Sequence, residues 1–309
     1  MKQIDGSNWL KVSPYDRFTY FIALKVDRYK TLLQTLEKLG LNFMTATVAG
    51  NRHFLIFPQQ KKIPRPAGTA LPVLGENPVM LTAHYDRVEG SPGANDNSIA
   101  VFHLLRAAML MTQKNMDNWI IVFTDKEELV SGETFDKQGS FTLAQQLRAW
   151  GLEKVRIFNY DSCGTGDTFI FSNIIDSILG KNMSPNIIKV KNELTALRSY
   201  TLETAYRLRL EKMLLAPMPF CDDMGFLRAG FAAQTITILP SEEASQYESI
   251  LRSRPEFADL IISGGIKTSN ERRYLPATWK NMNTPADTPD RLTPNNFEQL
   301  LTFIVELCK

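Results

Sequence analysis

The chain has 309 residues, 44% hydrophobic and 22% charged, which is ordinary for a soluble globular protein and long enough for one large α/β core or two small ones. A net charge of +2 gives no reason to expect nucleic acid or a membrane surface as a partner. Three widely spaced cysteines (Cys163, Cys221 and Cys308) argue against a disulfide framework, and no CxxC or Cys/His pair points to a structural zinc.

The opening MKQIDGSNWLKVSPYDRF lacks the apolar core of a signal peptide. The longest apolar helical stretch, Ala100 to Met111, carries His103 and Arg106 and is too short to span a bilayer. The expected location is therefore cytoplasmic. Residues 1–27 are aromatic-rich without a clear period and are expected to pack across the outside of the domain. Asp27 to Leu39 has apolar residues at helical spacing and Gly40 as its stop. Asn42 to Val48 and His53 to Phe57 are strand-like and split by Gly50-Asn51, a hairpin signal. Lys61 to Gly75 is a Pro-rich, basic surface connection. A strand over Pro78 to Ala83, a helix over Asn97 to Met111 and a strand over Trp119 to Thr124 follow. Next come a helix over Ser140 to Trp150 and strands over Val155 to Tyr160 and Thr168 to Phe171. Asn192 to Leu215 reads as a long helix, Phe220 to Ala229 as a loop-helix, Thr235 to Leu239 as a strand and Phe297 to Cys308 as a closing amphipathic helix. Ser241 to Ala277 is long, polar and weakly periodic, which suggests a surface insertion near the site. The alternation of strand and helix predicts a largely parallel sheet covered on both faces, and no linker divides residues 1–309 into separate domains.

Ligands of α/β proteins bind at the carboxyl ends of strands, so side chains there are the first candidates. The run VMLTA delivers His84 and Asp86, and a Gly/Pro-rich loop then leads to Asn95-Asp96-Asn97 at the mouth of a helix. The strand IIVFTD ends in Lys126-Glu127-Glu128, and VRIFNYD ends in Asp161. Imidazole and carboxylates at successive strand ends suit zinc or another divalent ion. Adjacent glutamates offer a division of labour in which one carboxylate binds metal and its neighbour handles a proton.

The segments AHYD, GANDN, FTDKEELVSGE, NYDSCG, DDMGFLRAG and NTPADTPD, in this order over Val79 to Asp290, resemble the zinc-dependent aminopeptidases of the M28 type. The resemblance implies a zinc-exopeptidase (phosphorylase/hydrolase-like) fold, a three-layer α/β/α sandwich around a mixed, mostly parallel sheet. It implies a metallopeptidase acting on peptide or aminoacyl substrates, with one or two zinc ions, manganese and cobalt being alternatives. Carried over by position, His84 is the first metal ligand, Asp86 the carboxylate that orients it, and Asp96 the bridging carboxylate. Glu127 is the general base, Glu128 a ligand of the second metal and Asp161 the remaining ligand of the first. The Asp96–Asn97 bond matches a position that is cis in the family.

Two positions depart from the pattern. The family's last ligand is the histidine of His-Thr-Pro-x-Asp, but here the segment reads Asn283-Thr284-Pro285-Ala286-Asp287, placing a neutral amide at the metal-ligand position. The segment that usually reads Ser-Asp-His and then Phe is Cys221-Asp222-Asp223 with Phe226. Three readings stay open: a two-metal enzyme in which Asn283 or Asp223 fills in, a one-metal hydrolase, and a catalytically degenerate relative that binds or supports without turnover. The related glutaminyl cyclases depend on the missing histidine, so Asn283 argues against that activity. Outside the motifs, His53 and His103 read as structural histidines, and Cys163 and Cys221 as packing residues. Asp161 taken alone could simply cap a turn through Ser162.

Overall fold

The β-branched and aromatic runs pair into one sheet because every residue of the strands Val79–His84 and Trp119–Thr124 is buried, which demands cover on both faces. The computed structural model describes the chain apart from residues 1–3, 5, 63–70, 73, 131, 174–183, 220, 264 and 268–269. Its strands are β1 (Asn42–Val48), β2 (Asn51–Phe57), β3 (Val79–His84), β4 (Trp119–Thr124), β5 (Arg156–Tyr160), β6 (Thr168–Ser172), β7 (Met213–Ala216) and β8 (Ala233–Leu239). They form an eight-stranded mixed sheet in the order β1-β2-β4-β3-β5-β8-β6-β7. The central block β4-β3-β5-β8 is parallel, β1-β2-β4 is antiparallel, and β6 runs antiparallel to β8 and parallel to β7.

The helices are α1 (Phe18–Phe21), α2 (Arg28–Leu39), α3 (Ile99–Gln113), α4 (Gly139–Ala149), α5 (Pro185–Arg207), α6 (Asp222–Arg228), α7 (Ser241–Ser253), α8 (Pro255–Ile262), α9 (Ala277–Asn281) and α10 (Phe297–Leu307). Alternate strand residues feed two cores, as a two-residue side-chain period requires. Leu81, Ile121, Phe123 and Phe158 join the larger cluster with α2, α3 and α10. Met80, Ile120, Val122 and Ile157 join the smaller one with Leu143 and Leu147 of α4 and Phe226 of α6. The result is an α/β/α sandwich. The N-terminal aromatics form part of the larger core: Trp9 packs edge-on against Phe297, and Tyr15 stacks with Phe102.

Helix α2 follows its sequence signals. Asp27 caps it by accepting the Lys30 N–H (3.0 Å), and Gly40 closes it in the left-handed region. Elsewhere tertiary pairing overrides local preference. The long helix expected over Asn192 to Leu215 begins earlier, at Pro185, and ends at Arg207, while Met213–Ala216 is the strand β7 beside β6. Leu, Met and Ala favour helix, but the left-handed turn at Arg209 (φ 54°) breaks it and the open edge of β6 captures the apolar run. The helix expected from Asn97 starts at Ile99, after an irregular turn over Ala94–Ser98. The polar stretch from Ser241 folds as α7 and α8, with Ala244, Tyr247, Phe257 and Ile261 in the larger core. Much of the connection expected over Lys61 to Gly75, and Phe220 of the expected loop-helix, lie outside the described residues. Among the described residues no helix is long and apolar enough to cross a membrane.

Candidate metal centre

The parallel block brings the carboxyl ends of β4, β3 and β5 side by side, and His84 is in register with Thr124. Loops leaving adjacent ends converge, so His84, Asp86, Asp96, Glu127, Glu128 and Asp161 come together although they span 78 positions of the chain. His84 Nε2 lies 3.1 Å from Asp96 Oδ1 and 3.8 Å from Asp161 Oδ2. His84, Asp96 and Glu128 each bring a donor atom within 4.8 Å of the others. Ligands about 2.0–2.1 Å from zinc at tetrahedral angles stand roughly 3.3 Å apart, so these separations are of the size an ion would bridge.

Asp86 ties the cluster together from behind. Its Oδ1 is 3.4 Å from His84 Nδ1, an ion-pair distance rather than a well-formed hydrogen bond. Its two oxygens also accept the backbone N–H groups of Glu127 (3.2 Å) and Glu128 (3.0 Å). One carboxylate therefore sets the ring of His84 and the start of the loop that carries both glutamates. The Gln138 side-chain amide donates to Glu127 Oε1 at 3.4 Å. Asn283, exposed and in the left-handed region (φ 62°), donates its amide to Glu128 Oε2 at 3.0 Å. That contact puts Asn283 at the cluster, with the amide nitrogen facing the carboxylate.

The electrostatics are those of several carboxylates crowded around one imidazole. Burial and then the charge of Glu128 push Glu127 well above the usual carboxylate range. Burial and then Asp96 raise Glu128 to about 8 and Asp161 to about 7. Burial opposes a charged His84, but Asp86 and Asp96 outweigh it and hold its pKa well above the ordinary imidazole value. Asp86 alone moves down: burial resists, yet His84 and the two backbone N–H groups prevail. Asp96 Oδ2 and Glu128 Oε1 are buried and accept no hydrogen bond. Unpartnered carboxylate oxygens beside a histidine fit a divalent cation, whose charge would replace the protons these groups otherwise hold. His84, Asp96 and Glu128 are the residues whose donor atoms converge closely enough to hold it, with Asp161 Oδ2 alongside at 3.8 Å from His84 Nε2.

Several supporting residues were given no role in the sequence reading, apart from Asp223, which was expected as a candidate metal ligand and is not among the converging donors His84, Asp96 and Glu128. Asp287 accepts the N–H groups of Asn95 (2.8 Å) and Asp96 (3.0 Å) and so fixes the turn that presents Asp96. Asn95 Oδ1 accepts the Gly164 N–H at 2.8 Å, and Asn97 donates to the Tyr160 carbonyl at 2.8 Å, lashing this turn to the end of β5. The Asp96–Asn97 peptide bond between them is cis. Asp222 is fully buried and accepts from the Thr124 hydroxyl at 2.5 Å. Asp223, also buried, has one oxygen 3.4 Å from Cys221 Sγ and the other without a hydrogen bond. Asp222, Asp223 and Asp287 lay inside quoted motifs, so the signal was their position; Asn95 and Asn97 flanked Asp96 in plain view. His53 and His103 stand apart: His53 Nδ1 accepts the Asp125 N–H (3.3 Å) and His103 Nδ1 pairs with the Tyr15 hydroxyl (2.7 Å). Cys163 and Cys221 are buried thiols held well above the usual thiol pKa by burial.

Residues 67–307 match peptidase family M28, and the chain belongs to that family. It is a metal-dependent peptidase family, so the site lies in a hydrolase-type fold. A comparison with curated protein sequences gives no match. Among solved structures the chain is similar to a leucine aminopeptidase precursor from Bacteroides thetaiotaomicron (16% identity, 99% of this chain and 97% of that one, TM-score 0.59). It is equally similar to a glutaminyl cyclase from the same organism (15% identity, 99% and 98%, TM-score 0.59). A zinc aminopeptidase from Bacillus subtilis aligns with 83% of this chain (16% identity, TM-score 0.52), and the chain spans about half, 49%, of that protein's length. These likenesses establish a shared fold.

Proposed function

We propose that the protein is a one-metal aminopeptidase, hydrolysing the first bond of a peptide or aminoacyl amide. The observation that carries this reading is the His84–Asp96–Glu128 cluster, with its unpartnered carboxylate oxygens, beside the half-buried Glu127. A bound zinc, or manganese or cobalt in its place, would polarise the scissile carbonyl and lower the pKa of a water. Glu127 takes that water's proton and passes it to the leaving amine, the role of a general base and then a general acid. Asp86 orients His84 and holds the backbone of Glu127 and Glu128. The Asn283 amide occupies an oxygen of Glu128 where a second imidazole ligand would be needed, which favours one ion over two. Three buried free thiols suit a reducing compartment, and we place the protein in the cytoplasm.

The test is hydrolysis of aminoacyl amides by metal-stripped protein with added zinc, manganese or cobalt. Glu127→Gln should lower kcat by about 100-fold or more while leaving metal binding in place. Equal turnover in both proteins, or no metal-dependent turnover, favours the rival reading of a non-catalytic family member.

A further inference from the structure

A guanidinium buried at the back of the metal centre belongs to none of the motifs. Arg28 opens α2, is only 6% exposed, and lies outside the family-matching stretch 67–307. Its Nη1 donates to the carbonyls of Tyr85 (3.1 Å) and Asp86 (2.9 Å). Its Nη2 donates to the carbonyls of Pro92 (2.7 Å) and Gly93 (3.4 Å) and to the Ser98 hydroxyl (2.7 Å). One side chain thus grips both ends of the loop that leaves β3 with Asp86 and re-enters the fold with Asp96.

Burying a guanidinium is costly, and the usual compensation is a carboxylate in contact. Among the described residues Arg28 has none: all five hydrogen bonds go to carbonyl or hydroxyl oxygens. Burial and the neighbouring Arg87 work against its charge, and Asp86, Asp96 and Asp287 favour it without an ion-pair contact among the described residues. The loop is shaped around this side chain. A Cβ on Gly93 (φ +60°) would stand 2.9 Å from Arg28 Nη2 and 2.7 Å from the Asp96 carbonyl. Next to it, Arg87 donates to the carbonyls of Ile22, Ala23 and Leu24, so the N-terminal segment and the loop are tied in both directions.

We propose that Arg28 is a positioning residue of the metal centre: it staples residues 85–98 so that His84, Asp86 and Asp96 are preorganised for a divalent cation. The inference rests on the metal-centre reading given above. It makes the N-terminal helix, outside the family-matching residues, a working part of the site. The fork geometry is essential, since a lysine keeps the charge but cannot reach both ends of the loop at once.

The experiment compares the full-length parent with Arg28→Met, Arg28→Lys and a control, Leu32→Ala, which removes core packing from the same helix but none of the Arg28 hydrogen bonds. Zinc affinity is read by competition with a chromophoric chelator, and amide hydrogen exchange is read across 85–98. Arg28→Met should weaken zinc binding about tenfold or more and speed exchange in 85–98, with Arg28→Lys falling between it and the parent. Leu32→Ala should leave zinc affinity within about twofold even where it lowers global stability. If Arg28→Met does not fold, Arg28→Lys carries the comparison. Zinc affinity and loop exchange equal to the parent's in the folded Arg28 variants would overturn the staple. A parent that binds no zinc would instead overturn the metal-centre reading, and exchange across 85–98 would still decide whether Arg28 holds the loop.

Discussion

Asn283 is the residue on which the chemistry turns. Its amide donates to Glu128 Oε2 across 3.0 Å and leaves Glu128 Oε1 without a hydrogen bond. Imidazole is a good zinc donor and a neutral carboxamide a poor one, so the departure weakens a second site while the His84–Asp96–Glu128 cluster stays assembled. The variant Asn283→His should raise bound zinc from one equivalent to two, measured by elemental analysis of protein purified without chelator. An unchanged stoichiometry would mean that the pocket around Glu128 differs by more than this one side chain. The departure was legible in the sequence because its neighbours Thr284, Pro285 and Asp287 keep the pattern. What the amide does there was not, because its partner lies 155 residues away.

At the scale of elements, the site depends on short segments held by distant partners. The turn Ala94–Ser98 is fully buried, yet its backbone cannot use helical bonds, since Asp96 and Asn97 have non-helical dihedrals. Asp287 supplies acceptors for two of its N–H groups. Asp287→Ala would leave both buried donors unpaired, and roughly 2–4 kcal/mol of stability should be lost. Urea denaturation checks this, and a loss below about 1 kcal/mol would mean that water takes over both bonds. The elements legible in the sequence were those with local signals. The capped α2, the β1–β2 hairpin and the apolar strands leading to His84, Glu127 and Asp161 all follow from spacing, turn residues and burial period. Strand β7 was not legible, because its four residues become a strand only beside β6. Arg28 was hidden for a similar reason: at the start of an amphipathic helix an arginine reads as solvated, and only the docking of α2 against residues 85–98 buries it.

For the whole molecule, two buried histidines outside the metal cluster contribute to its response to acid. Burial depresses His53 to about 4 and His103 to about 3, below the value of roughly 6.5 expected in the unfolded chain. Below pH 6.5 the unfolded state therefore binds protons that the folded state refuses, and stability falls as pH drops toward the folded pKa values. The slope is about 1.4 kcal/mol per pH unit for each histidine. His103→Gln, which retains a polar group for Tyr15, should be less acid-sensitive than the parent by that amount between pH 6 and 5 in urea titrations. Identical pH slopes would show that His103 is protonated without unfolding. The sheet, its two cores and the candidate metal cluster at the ends of β3, β4 and β5 otherwise form one α/β/α unit, with Glu127 next in sequence to Glu128 of that cluster. Zinc titration of metal-stripped parent and Glu127→Gln, followed by aminoacyl-amide hydrolysis, reads that unit directly. The parent should gain activity up to one equivalent of zinc while Glu127→Gln binds the same zinc and stays about 100-fold slower; a parent that remains inactive at every zinc level, or a variant that matches it, contradicts the assignment.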